Sequence, residues 1–207
     1  MPVSQDPTAP GAAGAAAAGA QGATRSRLPG EWGAAPDGRP GEDRRPTRRD
    51  DVLPGGARHC FACGDDNPIG LQLRDIRREG EEVLATLRPR QDYMGWPGVL
   101  HGGITATALD ELMNWASILL TGVWTATGTM DLRYRAQVPL DVELPLVAGI
   151  TESRGRAVRA WARLLLPDGA VAAEATGLLV RLPESMAAEA RSRYGPDGEA
   201  PGGAPEP

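Results

Sequence analysis

The chain has 207 residues, a formal net charge of −5, 27 glycines and 19 prolines. Apart from the two histidines every basic residue is arginine, and those of the first 56 residues are matched there by acids, which excludes a basic nucleic-acid-binding arm. No run of 18 or more strongly apolar residues exists and the early GAAGAAAAGA has no basic leader, so the expectation is a soluble, cytoplasmic protein with neither membrane span nor secretory signal.

Residues 1–56 are Ala, Gly, Pro and Arg with few bulky apolar side chains, and 184–207 are rich in Pro, Gly and Glu. Neither stretch buries enough apolar surface to offset the entropy of ordering, so both are expected to be disordered. One folded domain is expected over 57–183. It opens on HCFACGDDNPIG (59–70), a turn-rich segment carrying both cysteines. LQLRDI (71–76) and EEVLATLRP (81–89) alternate apolar and polar residues as half-buried strands, joined through REGE (78–81) into a hairpin. RQDYMGWPGVLHGG (90–103) reads as a loop. A helix follows from about 102 to 120, with Gly122 placed to stop it.

Four strand-like runs complete the domain, at 125–139, 142–154, 157–167 and 170–183. The order is therefore ββαββββ. The helix is apolar on most sides, as a helix wrapped by a strongly curved antiparallel sheet would be. The fold class is α+β.

A polar stripe interrupts that helix. Thr107, Asp110, Glu111, Asn114 and Ser117 recur at spacings of three and four and share one side in projection. Such a stripe is explained by a solvated seam between two copies or by a site. His-Gly-Gly (101–103) directly precedes the helix, where glycines admit close approach and the free amides carry the positive end of the dipole. An amide aimed at a developing oxyanion and a nearby carboxylate are the minimum for attack of water on an acyl carbonyl. Yet Asp110 lies about 12 Å along the axis from Gly102, at about 1.5 Å per residue. One helix cannot supply both groups to one carbonyl. Two antiparallel helices related by a two-fold axis can, which predicts a dimer with two composite sites.

VLHGGITATALDE resembles the signature of hotdog-fold acyl-CoA thioesterases of the PaaI-like branch, with His-Gly-Gly at 101–103 and an Asp nine positions after the His, at 110. CFACGDDNPIGLQL resembles the CxxCGxxNPxGLxL opening of a subgroup, and TGTMDLRYRAQVPLD their central strand. The resemblance covers about 59–183. It implies a hotdog fold, assembly as a homodimer or a homotetramer built as a dimer of dimers, and hydrolysis of acyl-CoA thioesters without metal or organic cofactor. It assigns the nucleophile or general base to Asp110 and the polarising amide to Gly102, helped by Gly103. His101 would support the loop and the carbonyl end of the substrate, and Thr127, the better match, with Thr129 as the alternative, would orient the water. Neither nucleic acid nor membrane is implied as a partner.

The remaining candidates come from the residues themselves. Consecutive residues on a helix point about 100° apart, so Asp110 and Glu111 cannot address one carbonyl; Glu111 is expected in a hydrogen bond or at an interface. Asn114, one turn on, would hold the carboxylate or the water. Arg133 and Arg135, with Arg181, are candidates for the phosphates of CoA, because the guanidinium fork suits phosphate. Tyr93, Met94 and Trp96 would line an acyl pocket or simply pack the loop. Cys60 and Cys63, even with His59 beside them, lack the second pair that structural zinc normally uses, so no metal is expected. The alternatives are a non-catalytic acyl-CoA-binding module or sensor and a hotdog dehydratase.

Overall fold

The computed structural model describes residues 48–52 and 59–194. Most of the arm expected over 1–56, and residues 195–207 of the tail, lie outside the described residues.

Strands β1 (Arg74–Glu79) and β2 (Glu82–Leu87) form the hairpin expected from the alternation, turning at Gly80 with φ +61°. A short 3-10 turn (Gln91–Tyr93) leads into a small two-stranded pair, β3 (Met94–Trp96) and β4 (Val99–Leu100), inside the segment expected to be loop. Helix α2 (Gly102–Ala116) continues as a π-helical turn (Ser117–Thr121). Strands β5 (Thr125–Tyr134), β6 (Leu144–Arg154), β7 (Ala157–Leu165) and β8 (Val171–Arg181) follow. The long strands build one antiparallel sheet in the order β1-β2-β6-β7-β8-β5. Two further helices lie outside this unit, α1 (Arg49–Val52) and α3 (Glu184–Tyr194).

The helix packs across the sheet as its composition requires. Ala108, Leu109, Leu112, Met113 and Ala116 are fully buried, against Leu144, Leu146, Leu164 and Leu179 from the strands in one continuous core. Burial on this scale is worth about 1.5–3 kcal/mol per large aliphatic side chain, which is what fixes the helix on the sheet. Gly122 ends the helix in the left-handed region at φ +73°, as a C-terminal glycine does. Ser117, buried at the junction, donates to the Val123 carbonyl at 2.8 Å and so leaves no polar group orphaned.

Three differences from the sequence expectation have identifiable causes. β1 starts at Arg74 instead of residue 71, because the Leu71 and Leu73 amides donate to the carbonyls of Phe61 and Ala62 in the cysteine turn. β5 ends at Tyr134 instead of residue 139, because the Arg135 and Ala136 amides share the Ala172 carbonyl and the chain then turns toward β4, where Leu100 donates to Val138. The tail expected to be disordered over 184–207 forms α3 in its first eleven residues. There ESMAAEARSRY supplies good helix formers, and Ala187 is buried. Averaging composition over the whole tail concealed them. No described helix is long and apolar enough to cross a membrane.

Candidate active site

The helix start is built by a histidine and two glycines. His101 is the N-cap, extended at φ −63° and ψ 134°, and its Nδ1 accepts the Gly103 amide at 2.9 Å. Accepting at Nδ1 leaves Nε2 as the ring nitrogen that carries the proton. The Gly103 amide is thereby committed to its own cap. The Gly102 amide has no acceptor among the described residues, so of the two glycines it is the one available to a ligand. Its carbonyl accepts the Tyr134 hydroxyl at 2.8 Å, and a Cβ at residue 102 would stand 3.1 Å from that oxygen. A side chain here would need the exposed Tyr134 ring to shift by a few tenths of an ångström. Tyr134 did not stand out in the sequence as a site residue; an aromatic at the end of the strand that faces the helix start was the available signal.

Eight residues along α2, the Asp110 carboxylate is held by a chain of hydrogen bonds from β5. Thr127 Oγ1 donates to Asp110 Oδ1 at 2.5 Å and accepts from Asn114 Nδ2 at 2.9 Å. The second Asn114 N–H reaches the Asp110 carbonyl at 3.1 Å, and Asn114 Oδ1 accepts from Thr125 Oγ1 at 2.9 Å. Every donor in this network has one acceptor, so the amide orientation and the hydroxyl rotor are both determined. Asp110 Oδ2 is left without a partner among the described residues. One oxygen is anchored and the other is presented.

The bulge at Gly128 decides between the two threonines. Register shifts between Thr127 and Thr129, so Thr127 lies partly buried against the helix while Thr129 is exposed. Arg135 pairs with Glu174 on β8, and Arg133 lies 3.7 Å from Asp131; both are mostly exposed, and neither is brought to the Asp110 network. Trp96 is 78% exposed on the β3–β4 pair, whose Gly95 packs against His101. Tyr93 is buried and its hydroxyl donates to the Gly70 carbonyl, so it packs the loop.

The polar stripe of α2 splits. Thr107 bonds back to the Gly103 carbonyl at 2.9 Å, and Ser117 serves the helix end. Glu111 turns away from Asp110 altogether. Its Oε1 accepts Trp115 Nε1 at 2.9 Å, and its two oxygens lie 3.8 and 3.9 Å from Cys60 Sγ. Burial, reinforced by the Cys60 sulfur, pushes the Glu111 carboxyl up to about 7. A hydrogen bond from Cys63, with backbone amides of the turn, holds the Cys60 thiol down to about 5, while the same pairing and burial push Cys63 well above the usual thiol range.

No family model and no curated protein matches the sequence. Among solved structures, a thioesterase superfamily protein is 26% identical with a TM-score of 0.55, over 59% of this chain and 60% of its own. The likeness thus spans less than two thirds of that protein. A second thioesterase superfamily protein is 23% identical with a TM-score of 0.51, covering 57% of this chain and 92% of its own. A conserved protein from Pseudomonas aeruginosa, 20% identical with a TM-score of 0.50 over 54% and 90% of the two chains, has the same architecture. With its long helix packed on a six-stranded antiparallel sheet, the chain has the hotdog fold of the thioesterase superfamily structures it resembles.

Proposed function

We propose that this protein is a PaaI-like acyl-CoA thioesterase whose sites are each shared by two copies of the chain. The observation that carries the reading is the Asp110 carboxylate, one oxygen anchored by Thr127, which Asn114 holds in turn, on the helix that also presents the Gly102 amide at its start. The likeness to a thioesterase superfamily protein supports it.

In the proposed reaction the thioester carbonyl accepts a hydrogen bond from Gly102 N–H of one copy, at the positive end of its helix. Asp110 of the other copy removes a proton from water as the oxygen attacks the carbonyl carbon. The tetrahedral oxyanion then collapses, the C–S bond breaks, and the CoA thiolate leaves and takes up the proton. Direct attack of Asp110, giving an anhydride that water opens, uses the same groups. The hydrogen bond from Thr127 orients the carboxylate in either case. No cofactor is needed for these steps, which draw on acyl-CoA in the cytoplasm. A homodimer is the smallest assembly that completes a site, and a dimer of dimers repeats it. The exposed Trp96 and Tyr134 near the helix start are apolar surface for the acyl group or for the second copy.

Free-thiol release from short-, medium-, aromatic- and long-chain acyl-CoAs tests this directly. Turnover of at least one class, faster than its spontaneous hydrolysis, is expected. An inert protein that still binds the thioesters would replace the enzyme with an acyl-CoA-binding module.

A further inference from the structure

The other acid of α2 meets a different chemistry. The cysteine turn folds tightly, with Gly64 N–H donating to the Cys60 carbonyl at 3.0 Å and the amides of Ala62 and Cys63 directed at the Cys60 sulfur. Both sulfurs then project toward α2. Cys60 Sγ stands 3.8 and 3.9 Å from the Glu111 oxygens, and the ligating atoms of Cys60, Cys63 and Glu111 all lie within 4.8 Å of one another. Tetrahedral zinc, with Zn–S of about 2.3 Å and Zn–O of about 2.0–2.2 Å, separates its ligand atoms by about 3.6–3.8 Å. The Cys60–Glu111 spacing is within a few tenths of an ångström of that, and Cys63 lies no more than 4.8 Å from either.

We propose that Cys60, Cys63 and Glu111 bind one thiophilic divalent cation of the zinc class, with water in the fourth position, clasping the N-terminal turn to α2. Two sulfurs and one carboxylate select zinc over magnesium or calcium, which take oxygen ligands. Trp115 orients the carboxylate by donating to Oε1, as partners of metal ligands do. The site lies about 100° around the helix from Asp110, and its role is to join elements distant in sequence. Fifty-one residues separate Cys60 from Glu111, and a count of cysteine pairs does not see the third donor.

The full-length protein, reduced and freed of metal, is titrated with Co²⁺ and followed by absorption. The expected result is a thiolate-to-cobalt band with tetrahedral visible bands saturating at one ion per chain, bleached by Zn²⁺. Cys60→Ser and Cys63→Ser are expected to abolish the bands, and Glu111→Gln to weaken binding about tenfold or more. Absence of the bands, or unchanged affinity in Glu111→Gln, overturns the proposal. Should a substitution unfold the chain, zinc X-ray absorption on the wild type decides: two sulfur and two light ligands support the site, and any other sulfur count overturns it. The readout is metal content, so it stands apart from whether the protein hydrolyses thioesters.

Discussion

On one flank of α2, the Asp110 carboxylate accepts from Thr127, which is held in turn by Asn114 and, through it, Thr125; all are neutral, and one carboxylate oxygen is left bare. On the other flank Glu111, the very next residue, meets two sulfurs and an indole and is driven toward its protonated form by burial. The chemistry of the two side chains is nearly the same. Their surroundings leave one with an open oxygen, as the proposed base needs, and set the other against a turn fifty-one residues earlier. A step of about 100° around the helix is enough to separate the roles.

Substitutions can break that contrast. The largest effect is expected at Asp110: Asp110→Asn preserves size and can still meet the Thr127 hydroxyl, yet removes the base, so kcat/KM for the best acyl-CoA falls by about 10²–10⁴. Glu111→Gln, measured beside it, is expected to change kcat/KM by less than about tenfold while lowering the midpoint of urea unfolding in the presence of zinc. Equal losses in the two variants would erase the distinction between the flanks. Thr127→Val keeps the shape of the side chain and deletes its hydroxyl. It should lower kcat about tenfold, with little change in KM, because a hydrogen bond worth about 1–1.5 kcal/mol orients the carboxylate. Thr129→Val serves as its control beyond the bulge. The smallest effect is expected for Trp115→Phe, which removes the indole donor to Glu111 and should cost about 1–2 kcal/mol of stability by denaturant titration.

Much of this architecture follows from patterns that a sequence displays. The alternation in β2, the strand-like runs of β6 to β8, the apolar helix and its glycine stop are local, and local patterns survive translation into structure. What was hidden depends on contacts across the fold. The spacing of Thr107, Asp110, Glu111, Asn114 and Ser117 suggested one polar face, but a 100° step places Glu111 where the cysteine turn packs, and the turn's position is set by its pairing with residues 71 and 73. Two residues apart in an alternating strand, Thr127 and Thr129 should share a face, but a single-residue bulge at Gly128 leaves Thr127 against the helix and Thr129 exposed. The split between the Gly102 and Gly103 amides required the rotamer of His101. None of these is a propensity; each is a matter of which neighbour arrives.

The central claim is that Gly102 of one copy and Asp110 of the other act on one carbonyl, and subunit mixing tests it most directly. Gly102→Pro deletes the amide at the first helical position, where proline is tolerated, and the extended His101 before it already suits proline. Asp110→Asn and Gly102→Pro proteins are each expected to be nearly inactive. Unfolded together and refolded as an equal mixture, they should recover about one quarter of wild-type thioesterase activity, since half of the dimers are mixed and each of those holds one intact site. A mixture no more active than its two components would contradict the shared site.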